Sequence, residues 1–332
     1  MKLTNLLVTN NLNEHSEAFA IDVLTGLSAQ KKSIPAQYFY DDIGSELFQK
    51  ISQHPDYYLT KTEFSIIEKA AFHIPKMIHS SEIDIIELGA GDGHKSKLLI
   101  DGFLNSGCKV NFYPIDISEK AMQLLGENLS IDTNLAIHGI VADYFIGLNY
   151  LKKISNNKKL VLFLGSNIGN FNQQQSGDFL KKLWLSLNQS DHLLIGYDLK
   201  KEAHTLNKAY NDSDGLTKAF NMNLLNRMNQ ELGGHFDPAK FEHYGFYNPT
   251  IEAMESHLIS LEKQDIVIDL LEKSFHFDAF EPVHLESSYK FTVAEINNLA
   301  THNGFKVVQH FSDVNDYFID SLWQVHKELA AE

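Results

Sequence analysis

The stretch Ile83-Asp84-Ile85-Ile86-Glu87-Leu88-Gly89-Ala90-Gly91-Asp92-Gly93 decides the fold of this 332-residue chain. Its first six residues make a short, mostly apolar run of strand length, and the glycines end it. Leu98, Leu99, Phe103 and Leu104 then recur on one side of a helical pattern. A strand that feeds through a glycine loop into a helix lets backbone approach a ligand at the strand's carboxyl end. Outward from this turn the pattern repeats. Strands are expected over 110–116, 135–141, 160–164 and 192–197, with helices over 118–128 and 173–187. Leu160 to Leu164 is almost wholly apolar, as a strand covered on both faces should be. Five strands separated by helices in this span predict an α/β, doubly wound (Rossmann-like) parallel sheet. A helix over 293–303, then Phe305–Phe311 and Tyr317–Val325, predicts an antiparallel hairpin at its edge.

The rest of the chain reads differently. Residues 15–80 are mainly helical, with a turn-rich stretch from Ser33 to Ser45, and 199–235 are helical again. Residues 240–291 alternate in the manner of half-buried strands, as in Glu255-Ser256-His257-Leu258-Ile259-Ser260-Leu261. The expected organisation is a ligand-binding sheet domain of 76–200 and 292–332. A smaller α+β substrate domain of 1–75 and 201–291 is expected over its binding edge.

Composition narrows the function. With 28 Lys+Arg against 43 Asp+Glu the formal charge is −15, and Arg227 is the only arginine. Nucleic-acid binding needs many Lys/Arg–phosphate contacts, and an anionic membrane needs a basic surface, so neither partner is expected. A small-molecule ligand is, with a monomer plausible. Cys108 is the one cysteine, so no internal disulfide can form. The apolar stretch Leu6-Leu7-Val8 is too short for a signal peptide, and no run reaches membrane-span length. The expected location is cytoplasmic. The 16 histidines are scattered without a zinc-binding spacing, so no metal is expected.

Asp116 lies 25 residues beyond Gly91, at the end of the second strand. A carboxylate there can accept both hydroxyls of a ribose, which suggests an adenosine-type cofactor. A dinucleotide fingerprint would want a third glycine at position 94, where His94 stands. The spacing Gly89-x-Gly91-x-Gly93 behind Glu87 instead resembles motif I of the class I S-adenosylmethionine (SAM) methyltransferases. Asp143-Tyr144, after the third strand, sits where those enzymes hold the adenine. A nicotinamide dinucleotide and a glycine turn without a ligand are the other two readings.

Further landmarks resemble the histidine-specific methyltransferases, which make hercynine on the route to ergothioneine. They are Phe39-Tyr40-Asp41-x-x-Gly44-Ser45-x-Leu47-Phe48, Pro55-x-Tyr57-Tyr58-x-Thr60 and Phe163-Leu164-Gly165-Ser166-x-Ile168-Gly169-Asn170. Ala209-Tyr210-Asn211-Asp212, Phe220-Asn221-x-Asn223 to Glu231-Leu232-Gly233, and Glu286-x-Ser288-x-Lys290-Phe291 complete the series. The resemblance implies that Gly89, Gly91, Lys95, Asp116, Asp143 and Tyr144 hold SAM. It implies that Asn170 and Tyr210 bind the substrate carboxylate with Tyr57 nearby. Tyr40 would face the amino group as the catalytic residue, and Glu286 and Ser288 would read the imidazole, with Met254 packed against it. Asn167 departs from the family's threonine, and the loop 276–284 is particular to this chain.

Physical chemistry bears on the same residues. Methyl transfer from a sulfonium needs a neutral amine lone pair in line with the methyl group, so positioning supplies much of the catalysis. Glu286 and Ser288, two apart on a strand, point to one face. A carboxylate accepting from one ring N–H and a hydroxyl serving the other nitrogen would read an imidazole. The same residues also have plainer uses. Tyr57 and Tyr58 could be packing, Asn170 a helix cap, Lys95 a surface lysine and Glu286 a solvated strand residue. Arg227, within a helical stretch, is expected to be structural. Three functions follow: Nα-methylation of L-histidine, N-methylation of another amino acid or an indole derivative, and SAM binding without turnover.

Overall fold

In a computed structural model of the chain, residues 1–7, 12–89, 91, 93–119, 122, 125–126 and 132–327 are described. Two compact units emerge. The first contains residues 1–8, 61–200 and 291–332, and the second residues 9–60 and 201–290.

The first unit is built on an eight-stranded sheet. Its strands are β1 (Lys2–Asn5), β2 (Glu82–Leu88), β3 (Lys109–Asp116), β4 (Leu135–Val141), β5 (Lys158–Phe163), β6 (His192–Asp198), β12 (Phe305–Ser312) and β13 (Phe318–Val325). The order is β1-β4-β3-β2-β5-β6-β13-β12. All pairs through β6 are parallel, and β13 runs antiparallel to both β6 and β12. The parallel doubly wound sheet with a C-terminal hairpin is thus as expected. Progress along the sheet reverses between β2 and β5, and ligands bind outside the carboxyl ends of strands at such a reversal. In β2, Ile83, Ile85, Ile86 and Leu88 are buried, which is why both faces read as apolar. Asp84 interrupts them and is itself buried. It accepts from the side-chain amides of Asn111 and Asn157, each at 3.0 Å, which offsets its loss of water.

Edge strand β1 was not expected. It is four residues long and mostly exposed, so it carries no alternating signature, and only its parallel register with β4 reveals it. The helix expected over 118–128 falls largely on residues outside the described set. Helices α3 (Tyr58–Ala70), α4 (Ile74–Ile78), α5 (His94–Asn105), α6 (Tyr144–Ile154), α7 (Gln173–Ser186) and α10 (Val293–His302) supply the other connections.

The second unit combines α1 (Leu12–Ser28), α2 (Asp42–Gln53), α8 (Ala203–Ala209) and α9 (Leu216–Leu232) with an antiparallel sheet, β11-β8-β7. Those strands are β7 (Phe241–Asn248), β8 (Ala253–Ser260) and β11 (Pro282–Tyr289); β9 (Gln264–Ile268) and β10 (Lys273–Phe277) pair separately. Phe220, Leu224 and Met228, four apart on α9, share a core with Phe19, Phe39, Phe241 and Phe277. The helical reading of 199–235 is broken at 210–215. Asp212 accepts from the backbone N–H groups of Leu216 and Thr217, each at 2.7 Å, and Gly215 takes φ +73°. The break starts α9 afresh and leaves Tyr210 at the end of α8. Arg227 donates to the Tyr38 carbonyl (2.8 Å) and to Glu231 (2.7 Å), and it lies over the Phe19 ring, a structural placement.

Candidate active site

In the first unit the expected cofactor residues gather at the carboxyl ends of β2, β3 and β4. Gly89 ends β2 at φ +74°, and a Cβ there would stand 2.8 Å from the Tyr144 hydroxyl. Gly91 is also left-handed, at φ +52°, and among the described residues a Cβ on it would meet no atom within 4 Å. Left-handed backbone at Gly89 and Gly91, with room beside Gly91, is the form of a cradle for a ligand. Asp116 ends β3, and its carboxylate accepts from the Ser118 N–H at 2.9 Å. Burial raises its pKa, and the Ser118 and Ile117 amides oppose that rise. Asp143 caps α6 through the Phe145 N–H at 2.8 Å. The Tyr144 phenol is pushed up by burial and further by Asp116, Asp143 and Glu87, so these four groups share one locality. Their fit to an adenosyl group is good: acceptors for hydroxyls and an exocyclic amine, an aromatic ring, and glycines at 89, 91 and 93 that bring no side chain of their own.

Lys95, on the first turn of α5, makes an ion pair with Glu63 of α3. Burial disfavours its charge, but the Glu63 carboxylate, with Glu87 and Asp320, more than compensates and raises its pKa. Glu63 also accepts from the Gly165 N–H at 2.6 Å, just beyond β5. Asp320 of β13 is fully buried beside this pair. Sequence reasoning missed both acids, because Glu63 reads as one more polar helix residue and Asp320 as the polar position of an alternating strand. Asn170 ends a 3₁₀ turn, Asn167–Asn170, and is exposed. It does not cap the following helix; Asn172 does, in a capping box with Gln175.

The second unit holds Tyr40, Tyr57, Tyr210, Met254, Glu286 and Ser288 of the expected substrate set, whereas Asn170 belongs to the first. On one face of its antiparallel sheet Glu286 lies opposite Ser256, and Ser288 opposite Met254, which in turn faces Tyr247. Burial pushes the Glu286 carboxyl up to about 7, and the Lys290 ammonium opposes the rise. Tyr210 donates to Ser288 Oγ at 2.9 Å. Its ring stands edge-on to Tyr57 at 6.4 Å, Tyr57 to Phe48 at 6.3 Å, and Phe48 to Tyr40 at 5.6 Å. One aromatic chain thus links Tyr40, Tyr57 and Tyr210 to Ser288. Other residues of the same motifs carry architecture. Asp41 caps α2 through Gly44 and accepts from Asn223, and a Cβ on Gly44 would overlap the Phe39 carbonyl.

A family model described as histidine-specific methyltransferase, SAM-dependent, matches residues 19–325. The chain belongs to this family. It is 33% identical over 293 residues to the histidine N-alpha-methyltransferase of Mycolicibacterium smegmatis, covering 88% of this chain and 89% of that one. To the protein of the same name from Mycobacterium tuberculosis it is 32% identical, covering 86% and 88%. Ergothioneine biosynthesis protein 1 of Schizosaccharomyces pombe is 30% identical; the match takes 92% of this chain but 40% of that longer one. The methyltransferase therefore uses SAM. Among the described residues no helix is long and apolar enough to cross a membrane.

Removing the Asp116 carboxylate tests the cofactor half. A charge-assisted hydrogen bond contributes about 1.5–3 kcal/mol. In Asp116→Ala the SAM dissociation constant should therefore rise about 10- to 100-fold by calorimetry. Unchanged SAM affinity would remove Asp116 from the site.

Proposed function

We propose that this methyltransferase acts on the α-amino group of L-histidine and carries it to the trimethylated product, hercynine. The observation that carries the reading is the Glu286–Ser288 pair on one sheet face, with Met254 directly opposite Ser288. A carboxylate and a hydroxyl at that spacing match the two nitrogens of an imidazole, and the thioether packs against its ring.

SAM, when bound, supplies a methyl group activated by its sulfonium. Gly89, Gly91, Lys95, Asp116, Asp143 and Tyr144 are assigned to hold it. We assign the substrate carboxylate to the Asn170 amide with Tyr57 and Tyr210. Tyr40 is assigned to accept a hydrogen bond from the substrate amine and so to aim its lone pair. No strong base is needed, because the neutral amine fraction grows as pH approaches the amine's own pKa, and each methylation sheds a proton to water. Reaction rate then rests on orientation. A site built this way leaves a polar group unpaired when an indole enters, which penalises that substrate. The proposal carries with it a cytoplasmic enzyme of small molecules, with no role for nucleic acid or membrane.

Incubation with SAM and each of the common amino acids, followed by mass detection, tests it. Histidine should gain mono-, di- and trimethyl forms, with every other amino acid at least about 100-fold poorer in kcat/KM, the discrimination expected of a paired polar reader. Methylation of tryptophan or another amino acid in preference to histidine would refute the substrate assignment. Tight SAM binding without turnover of any of them would refute the catalytic one.

A further inference from the structure

Lys290 ends the Glu286-x-Ser288-x-Lys290 motif, and it is buried, at 2% exposure. Its ammonium donates to Ser288 Oγ at 2.8 Å and to the Tyr210 hydroxyl at 3.0 Å, and it lies 4.8 Å from the Tyr210 ring centroid. An ammonium has three donors and no acceptor, so both hydroxyls must receive from it. A phenol oxygen is a poor double acceptor, so with the Lys290 ammonium on it Tyr210 is left to donate to Ser288, the two oxygens being 2.9 Å apart. The serine oxygen therefore accepts twice, once from Lys290 and once from Tyr210. Both of its lone pairs are then engaged, and only its own proton is left to offer a ligand. Without Lys290 either hydroxyl could donate to the other, and Ser288 could as well accept.

We propose that Lys290 is a positioning residue for substrate choice: it fixes Ser288 as a hydrogen-bond donor and keeps Glu286 as the acceptor, so that the pair selects a neutral imidazole with one N–H and one lone-pair nitrogen. The inference rests on the histidine reading of the same site. Ser288 meets the lone pair, and Glu286 meets the N–H.

The charge around Glu286 is consistent with this role. The ammonium of Lys290 is the charge that works against burial there. Toward the same sheet face lie Tyr210, from the end of α8, and His243 and Tyr247 from β7. Burial, with Lys218, holds His243 down at about 4, so it is uncharged near neutrality. Glu255, His257 and His284 belong to the opposite face.

The test measures kcat/KM against pH for the intact enzyme and Lys290→Met, with folding checked by thermal melting. Two substrates are compared, histidine and 3-(pyrrol-2-yl)alanine, whose ring keeps an N–H but lacks a lone-pair nitrogen. In Lys290→Met the acid limb for histidine should move up by at least half a pH unit, since Glu286 loses its cation. The preference for histidine over the pyrrole analogue should narrow at least fivefold, and SAM affinity by calorimetry should stay within about twofold, the scatter of a site left untouched. The histidine ring's own titration is common to both enzymes and cancels. Lys290→Arg, which keeps the charge, should restore the limb. An unmoved limb, an unchanged preference or a parallel loss of SAM affinity each overturns the proposal. Should Lys290→Met not fold, Lys290→Gln must give the same two shifts. Failure of the unmodified enzyme to bind histidine would instead defeat the underlying substrate reading.

Discussion

Glu286→Ala should raise the KM for histidine about 100-fold while leaving the SAM dissociation constant within about twofold, because a hydrogen bond to a charged acceptor contributes about 1.5–3 kcal/mol and its ring N–H donor is left unpaired. The separation of the two effects is the informative part. Glu286 belongs to the second unit, and the glycine loop, Asp116 and Tyr144 belong to the first. Steady-state kinetics with varied histidine, together with calorimetry for SAM, gives both numbers. An equal loss of both would mean that Glu286 supports the fold and does not read the ring.

The same carboxyl sets a pH dependence whose sign can be worked out. Burial pushes Glu286 up to about 7 before substrate binds. Ionised Glu286 is the form that accepts from the ring N–H, so kcat/KM should fall more steeply as pH drops below about 7, on top of the loss from protonation of the substrate's own amine and, near 6.5, its imidazole. In Glu286→Gln the acceptor is a neutral amide at every pH. Its kcat/KM should be lower at pH 8, and its acid limb should keep only the substrate's share. A variant profile parallel to that of the unmodified enzyme would show that Glu286 does not titrate in the assay.

Most of the sheet was legible because strands buried on both faces leave continuous apolar runs, and Ile83-to-Leu88 and Leu160-to-Leu164 are of that kind. Exposed β1 has no such run and was invisible. The motifs pointed to the right places but could not separate chemistry from architecture. Tyr210 and Asp212 stand two apart in one motif, yet the first hydrogen-bonds Ser288 and the second accepts from the first two N–H groups of α9. Local sequence cannot distinguish them, because the partner of each is decided by where α8 stops. Lys290 was visible as a motif residue without a role. The role we propose for it depends on the polarity of its hydrogen bonds with Tyr210 and Ser288, which no spacing rule encodes. Glu63 and Asp320 lie 257 positions apart and meet only through the stacking order of the sheet. Lys95, in turn, was read for its cofactor and not for its ion pair.

That last cluster yields the largest expected effect on stability. Glu63 is 1% exposed and satisfies two donors at once, the Lys95 ammonium and the Gly165 N–H. Removing one partner of a buried pair costs about 3–5 kcal/mol, since the other charge remains in the interior. Glu63→Ala should accordingly lower the melting temperature of the protein by about 10 °C. Asp320 should behave in the opposite way. Its two oxygens make no hydrogen bond of full geometry, and burial followed by the nearby Glu63 carboxylate raises its pKa well above the usual range, with Lys95 opposing. An acid whose folded pKa is raised stabilises the fold fully below the unfolded value, about 4, and loses that contribution as pH climbs through the folded value. Asp320→Asn cannot ionise, so it escapes the loss. Its melting temperature should equal or exceed that of the unmodified protein at pH 8, and the gap should widen toward pH 9. Differential scanning calorimetry across pH 5–9 measures both variants. If Asp320→Asn melted lower than the unmodified protein throughout that range, Asp320 would have to be ionised in the fold, and the cluster would hold two carboxylates against one ammonium instead of a neutral acid beside an ion pair.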